Sequence, residues 1–171
     1  NPNADQVLGL KAYRSVREAP APIDLAVITI PAPKVPEAVE ECAEKEVKVA
    51  VITSSGFGEV RGEGMERERL IVQTAKKAGM RIVGPNTTGI VNTANNFTTS
   101  FISLPKLRRG PVAFIAQTGL FAAASLWHML TAERFGVSKV AGLGNKADVN
   151  DQDVLQYLAD DPETRVVAIY M

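Results

Sequence analysis

The stretch Gly110-Pro-Val-Ala-Phe-Ile-Ala-Gln-Thr-Gly119, followed by Leu120-Phe-Ala-Ala-Ala-Ser-Leu-Trp127, decides the fold of this chain. Val112 to Ala116 is a short apolar run of the kind that forms a buried parallel strand. The Ala- and Leu-rich segment after Gly119 then meets no breaker before Gly136 and reads as a helix. A strand, a tight polar turn and a helix in that order predict an α/β unit. The turn is also a natural anion site, because a helix N-terminus offers unpaired N–H groups and the positive end of the peptide dipole, and a glycine lets a bound group approach the backbone. Gln117, Thr118 and Gly119 are therefore candidates for holding a phosphate or phosphoryl group. Many α/β turns have this form and bind nothing, so the turn alone does not assign a function.

Outward from that stretch the same alternation repeats. Strands are expected over residues 24–30, 48–53 and 81–83 on one side, and over 138–143 and 165–170 on the other. Helices are expected over 35–46, 63–78 and 151–160. Val35, Ala38, Val39, Cys42 and Ala43 form the inward stripe of the first, and Met65, Leu70, Ile71 and Ala75 that of the second. Apolar strands alternating with helices predict parallel sheets covered on both faces. Residues 91–109 are rich in Asn and Thr and end in Lys106-Leu-Arg-Arg109, a shift that predicts a boundary between a first domain over 1–107 and a second over 108–171. The last strand reaches the end of the chain at Met171, so the second unit is expected to be the first part of a larger domain.

Composition excludes several classes. Lys plus Arg equals Asp plus Glu at 19 each, which gives no global basic field for nucleic acid or an anionic membrane. No apolar run approaches the length of a membrane span. A single cysteine, Cys42, rules out an internal disulfide and fits a reducing, cytoplasmic compartment. Its acidic setting, Glu40-Glu41-Cys42-Ala43-Glu44, raises a thiol pKa and argues against a nucleophile. One histidine, one cysteine and no clustered carboxylate motif give no metal site.

In parallel α/β sheets, ligands bind beyond the carboxyl ends of the strands. Those ends carry Pro31-Ala-Pro33, Thr53-Ser-Ser-Gly-Phe-Gly58, Gly84-Pro-Asn-Thr-Thr-Gly89, Ala116-Gln-Thr-Gly119 and Gly142-Leu-Gly-Asn-Lys-Ala-Asp148. Each combines Gly or Pro with small polar side chains, which allows close backbone approach by phosphates or a long polar arm.

Tyr13-Arg-Ser-Val16, Ile23-Asp-Leu-Ala-Val-Ile-Thr-Ile-Pro-Ala32, Gly56-Phe-Gly-Glu59, Gly84-Pro-Asn86, Gln117-Thr-Gly119 and Leu143-Gly-Asn-Lys-Ala-Asp148, in this order, resemble one family over essentially the whole chain. It is the α-subunit part of the nucleoside-diphosphate-forming acyl-CoA synthetases, which include ADP-forming acetyl-CoA synthetase and succinyl-CoA synthetase. The resemblance implies a Rossmann-like CoA-binding domain followed by the start of a flavodoxin-like ligase domain. It implies a reaction in which acyl-CoA, ADP and phosphate give acid, CoA and ATP through an acyl phosphate and a phosphohistidine. It assigns Thr53, Ser54 and Ser55 to the CoA-contacting loop, Asn86 to the inner end of the CoA site, and Gln117, Thr118 and Gly119 to the phosphate. The implied catalytic His lies beyond Met171 and the Gly-rich loop for the CoA phosphates precedes Asn1, so no catalytic residue is expected here and this piece alone is expected not to turn over. ATP or ADP and Mg²⁺ would be handled by an ATP-grasp β subunit or fused domain, in an oligomer. Two positions depart from the family pattern: Asn3 stands where relatives carry a Lys, and Ala116 where a Ser precedes the Gln.

Two rival readings follow. A CoA-sensing module, such as the synthetase-like region of a protein lysine acetyltransferase, has the same fold and tolerates loss of the His. A nicotinamide-dinucleotide domain would carry Gly-x-Gly-x-x-Gly, which this sequence lacks. His128, the only histidine, sits mid-helix in Leu126-Trp-His-Met-Leu130 and reads as a packed or rim residue. Asp148, Asp151 and Asp153 read as caps of the helix that follows.

Overall fold

The computed structural model describes residues 3–102, 108–117 and 135–171. It opens with a small antiparallel hairpin, β1 (Gln6–Val7) and β2 (Leu10–Lys11). Leu8 and Gly9 turn it with positive φ at both positions, as a two-residue turn of the primed type requires. The first α/β unit follows: β3 (Leu25–Ile28), α1 (Val35–Glu44), β4 (Val49–Ile52), α2 (Glu63–Lys77) and β5 (Arg81–Val83). The strands form a parallel sheet in the order β3-β4-β5, with Leu25 opposite Val49 and Val49 opposite Arg81.

Two crossover helices hold this sheet through one core. Val35, Val39 and Cys42 of α1 and Ile71 and Ala75 of α2 pack with Ala50, Ile52 and Ile82 of the strands. The stripe expected on α1 is the one observed. On α2, Ile71 and Ala75 are buried as expected, but Met65 and Leu70 are exposed, and Gly64 takes the buried place in the first turn. The cause is the close approach of the preceding turn, where a Cβ on Gly64 would collide with the Phe57 carbonyl and with Val60. Only a glycine lets the first turn of α2 sit against Phe57.

The second sheet contains β6 (Ile90–Asn92), β7 (Phe97–Thr98), β8 (Arg109–Ala116), β9 (Val137–Gly142) and β10 (Val166–Tyr170), in the order β10-β8-β9-β6-β7. Helix α3 (Asp151–Ala159) precedes β10. β8 pairs in parallel with both β9 and β10, as expected. β6 and β7 are antiparallel additions that make this sheet mixed. Residues 90–98, which lie within the expected first domain over 1–107, hydrogen-bond into the second sheet, Ile90 opposite Ala141 and Asn92 opposite Lys139. A polar stretch pairs here because the edge of β9 offers unpaired backbone groups, whatever the side chains of the incoming strand. The helix expected after Gly119, together with Thr118, Gly119 and His128, lies outside the described residues.

Candidate functional site

The carboxyl ends of β3, β4 and β5 lie side by side, and short polar contacts lock the loops that leave them. Thr53 donates from its backbone N–H (3.0 Å) and from its hydroxyl (3.3 Å) to the Ile28 carbonyl. The Ser54 hydroxyl donates to the Ile30 carbonyl at 2.5 Å, while Ser55 is exposed. The Thr53 and Ser54 hydroxyls thus hold their loop against the β3 exit and keep acceptor lone pairs for a ligand. The loop then reverses through Gly56, at φ +101°, where a side chain would be strained. The carboxylate of Glu59 closes that reversal, accepting from Gly56 N–H at 2.5 Å and Phe57 N–H at 3.1 Å. Burial works to raise the pKa of Glu59, but hydrogen bonds from Asn145 and from these amides outweigh it and hold the group below the usual glutamate range.

The β5 exit forms a second fixed corner. Gly84 has φ +102°, and a Cβ there would lie 2.6 Å from the Ile52 carbonyl, so glycine is required. Asn86 sits at φ +59°, in the left-handed region that asparagine tolerates, with its backbone N–H donating 2.9 Å to the Ser54 carbonyl. The structure therefore brings Thr53, Ser54, Ser55 and Asn86 together on adjacent loops, with Ser55 and Asn86 facing solvent.

The β9 exit is laid along this corner. Asn145, Ala147 and Val149 donate backbone N–H groups to Pro85 (2.9 Å), Gly84 (3.1 Å) and Ile82 (3.0 Å) in turn. Gly144, at φ +59°, passes so close that a Cβ would lie 2.6 Å from the Asn86 carbonyl. Buried Thr87 joins the two segments further in, its hydroxyl donating to the Gly142 carbonyl and accepting from Gly89 N–H at 2.9 Å. Gln117, at the end of β8, is exposed and fixed through its N–H to the Tyr170 carbonyl at 3.1 Å. It borders an open cleft of about 680 Å³ that is also lined by Gly58, Glu59, Glu68, Lys76 and Asn145. One cleft is thus shared by the loop after β4, helix α2 and the exits of β8 and β9.

Sequence reasoning missed the roles of Glu59, Glu68 and Asn145. Glu59 and Asn145 lie in the blocks Gly56-Phe-Gly-Glu59 and Leu143-Gly-Asn145, which marked them without saying what they touch. Of the three aspartates expected to cap α3, Asp153 does so and the other two are reassigned. Asn150 is the N-cap of α3, in a capping box with Asp153, while Asp148 pairs with Arg81 and Asp151 with Lys146. Among the described residues no group of three His, Cys, Asp or Glu side chains is placed to hold a metal, and no helix is long and apolar enough to cross a membrane.

Comparison with known proteins places this geometry. Residues 1–93 match the model of a CoA binding domain, and residues 109–171 that of a succinyl-CoA ligase like flavodoxin domain. An ADP-forming acetate–CoA ligase II of Archaeoglobus fulgidus is 49% identical over all of this chain, which covers 26% of that protein. The α subunit of an ADP-forming acetate–CoA ligase II of Pyrococcus furiosus is 43% identical, again over the whole chain, which covers 37% of it. The solved acetyl-coenzyme A synthetase 1 of Candidatus Korarchaeum cryptofilum, in complex with phosphate and ADP, superposes with a TM-score of 0.92 at 38% identity; the match takes in all of this chain and 36% of that one. The chain belongs to the family that joins a CoA-binding domain to a succinyl-CoA-ligase-like flavodoxin domain, the family of the ADP-forming acyl-CoA synthetases.

Proposed function

We propose that this chain is the CoA-docking and phosphate-holding part of an ADP-forming acyl-CoA synthetase, which converts acyl-CoA, ADP and phosphate into acid, CoA and ATP. The observation that carries this reading is that the Asn86 N–H, donating to Ser54, joins the Gly84-Pro-Asn86 corner to the 53–55 loop, and the Asn145 N–H, donating to Pro85, joins it to the exit of β9, beside the cleft that Gln117 borders. Residues 1–107 supply the CoA side and residues 108–171 the phosphate side of this division of labour, with hairpin β6–β7 strapping the first unit onto the sheet of the second.

Ser55 and the hydroxyl lone pairs of Thr53 and Ser54 would meet the CoA arm, and Asn86 would lie near the thioester end. Gln117, Thr118 and Gly119 would hold phosphate by oriented N–H donors, since phosphoryl transfer is catalysed mainly by positioning and electrostatics. The phosphohistidine, the nucleotide and Mg²⁺ belong to parts outside this chain, supplied by an ATP-grasp β subunit or fused domain in an oligomer. The single buried Cys42 suits a cytoplasmic setting. The deciding experiment mixes the intact protein with ADP, phosphate, Mg²⁺ and a panel of acyl-CoA thioesters and follows ATP. ATP formed from a defined thioester establishes the synthetase. Tight CoA binding with no ATP from any thioester overturns it in favour of a CoA-sensing module.

A further inference from the structure

Asn145 occupies the point where the loops of the two units meet. Its amide nitrogen donates to Glu59 Oε2 at 2.6 Å and to Glu68 Oε2 at 2.8 Å, so both of its protons are used on carboxylates. Carboxylates only accept, which fixes the orientation of the amide: nitrogen towards the glutamates, oxygen towards Asn86, whose Nδ2 lies 3.5 Å away. Each glutamate in turn holds the loop after β4. Glu59 takes the N–H groups of Gly56 and Phe57, and Glu68, from α2, takes that of Gly58 at 3.0 Å. The backbone N–H of Asn145 meanwhile donates to Pro85. One residue of the second unit therefore fixes both the 56–58 loop and the 84–86 corner of the first, beside the cleft that Gln117 enters.

We propose that Asn145 is a positioning residue that sets the CoA-side loops against the phosphate-side strand end, so that thioester and phosphate meet at reacting distance. The inference rests on the CoA and phosphate reading above. It assigns Asn145 no contact with substrate: it acts through Glu59 and Glu68, and its loss should leave each ligand's own contacts intact while spoiling their mutual placement. Misplacement of about 1 Å in such a pair costs on the order of 100-fold in rate.

The test uses the intact protein, assayed by ATP formation from thioester, ADP and phosphate. Asn145→Asp keeps the side chain's size but turns its two donors into a third carboxylate facing Glu59 and Glu68. The expected result is a fall in kcat of about 100-fold with KM for the thioester changed by less than about 3-fold. Adding Glu68→Gln returns a donor opposite the new carboxylate, and kcat should recover by at least about 10-fold over the single variant. Asn145→Ala, which brings no charge, should lose about 10-fold or more in kcat and gain nothing from Glu68→Gln. A side chain that merely fills space would show neither the split between kcat and KM nor the rescue. Asn145→Asp with wild-type kcat, or a double variant no faster than the single, overturns the role. A wild type that makes no ATP from any thioester removes the proposed function, and this role with it; an active wild type matched by Asn145→Asp removes the role alone.

Discussion

Lys139 lies in the middle of β9 with only 9% of its surface exposed, an uncommon place for a lysine. Its ammonium donates to Asp161 Oδ2 at 2.6 Å, and the Thr164 hydroxyl donates to the same oxygen at 2.5 Å. Burial works to raise the pKa of Asp161, but the hydrogen bonds from Lys139, Thr164 and the Glu163 N–H outweigh it and hold the group below the ordinary aspartate value. Removing the cation by Lys139→Met leaves a carboxylate whose side chain is 7% exposed, and the expected cost is about 3 kcal/mol at pH 7, read by urea unfolding. Because the folded pKa of Asp161 is depressed, its contribution is full above the unfolded value of about 3.9 and is lost as pH falls through the folded value. The difference between wild type and variant should therefore shrink below about pH 4; a difference that is flat with pH would place the cost in lost packing. Residue types of this kind were legible in sequence, but their partners were not. The acidic setting of Cys42 foretold a raised thiol, and burial first, then Glu41, pushes it to about 11. Nothing in Lys139 or Asn145 themselves announces Asp161 or Glu59, because those contacts depend on which strand ends the fold brings together.

At the scale of elements, α3 shows what local sequence specifies well. Asn150 accepts from the N–H groups of Gln152 at 2.8 Å and Asp153 at 3.3 Å, and Asp153 returns the bond to the Asn150 N–H at 3.0 Å. This capping box satisfies donors that the first turn leaves orphaned, and Asp153 also meets the positive end of the helix dipole. Asn150→Ala should destabilise the protein by about 1 kcal/mol, while Asn150→Ser should recover most of that in a thermal melt. Equal losses for both would mean that the cap is not what starts the helix. The helix itself was legible from its pattern, and Asp153 belongs to its cap as expected; Asn150 was missed, and Asp148 and Asp151 were misread because only their tertiary partners withdraw them from the role. Hairpins β1–β2 and β6–β7 escaped for a different reason. Strands of two or three residues are too short to show a period-two pattern, and only Leu8-Gly9 and Asn95-Asn96 hinted at their turns. That Gly64 rather than Met65 faces inward in the first turn of α2 depends on its approach to Phe57, a contact the hydrophobic pattern cannot contain.

On the scale of the whole molecule, the two sheets are joined by a seam in which the backbone of residues 142–149 runs against that of residues 82–89. Asp148 anchors one end, accepting from Arg81 Nε at 2.9 Å and from the N–H of buried Ile82 at 2.8 Å. Arg81 is half exposed, so its charge is partly screened and its share is small. The amide of Ile82 is the stronger half: without Asp148 it is left without that acceptor inside the protein, at a cost of about 2 kcal/mol. The energies are placed so that this loss falls on the seam. Core strands β4 and β8 keep their own pairing and packing on either side and do not need Asp148. In Asp148→Ala, hydrogen exchange at Ile82, Ala147 and Val149 should therefore accelerate by about 30-fold, the equivalent of 2 kcal/mol, while Ile52 and Ile115 change little. Arg81→Gln should move the same amides only a few-fold. If protection falls equally at Ile52 and Ile115, the two sheets open as one cooperative unit and the seam is no hinge. If it falls at the seam alone, the loops of the two units share a junction weaker than either core, and Asn145 lies at its centre.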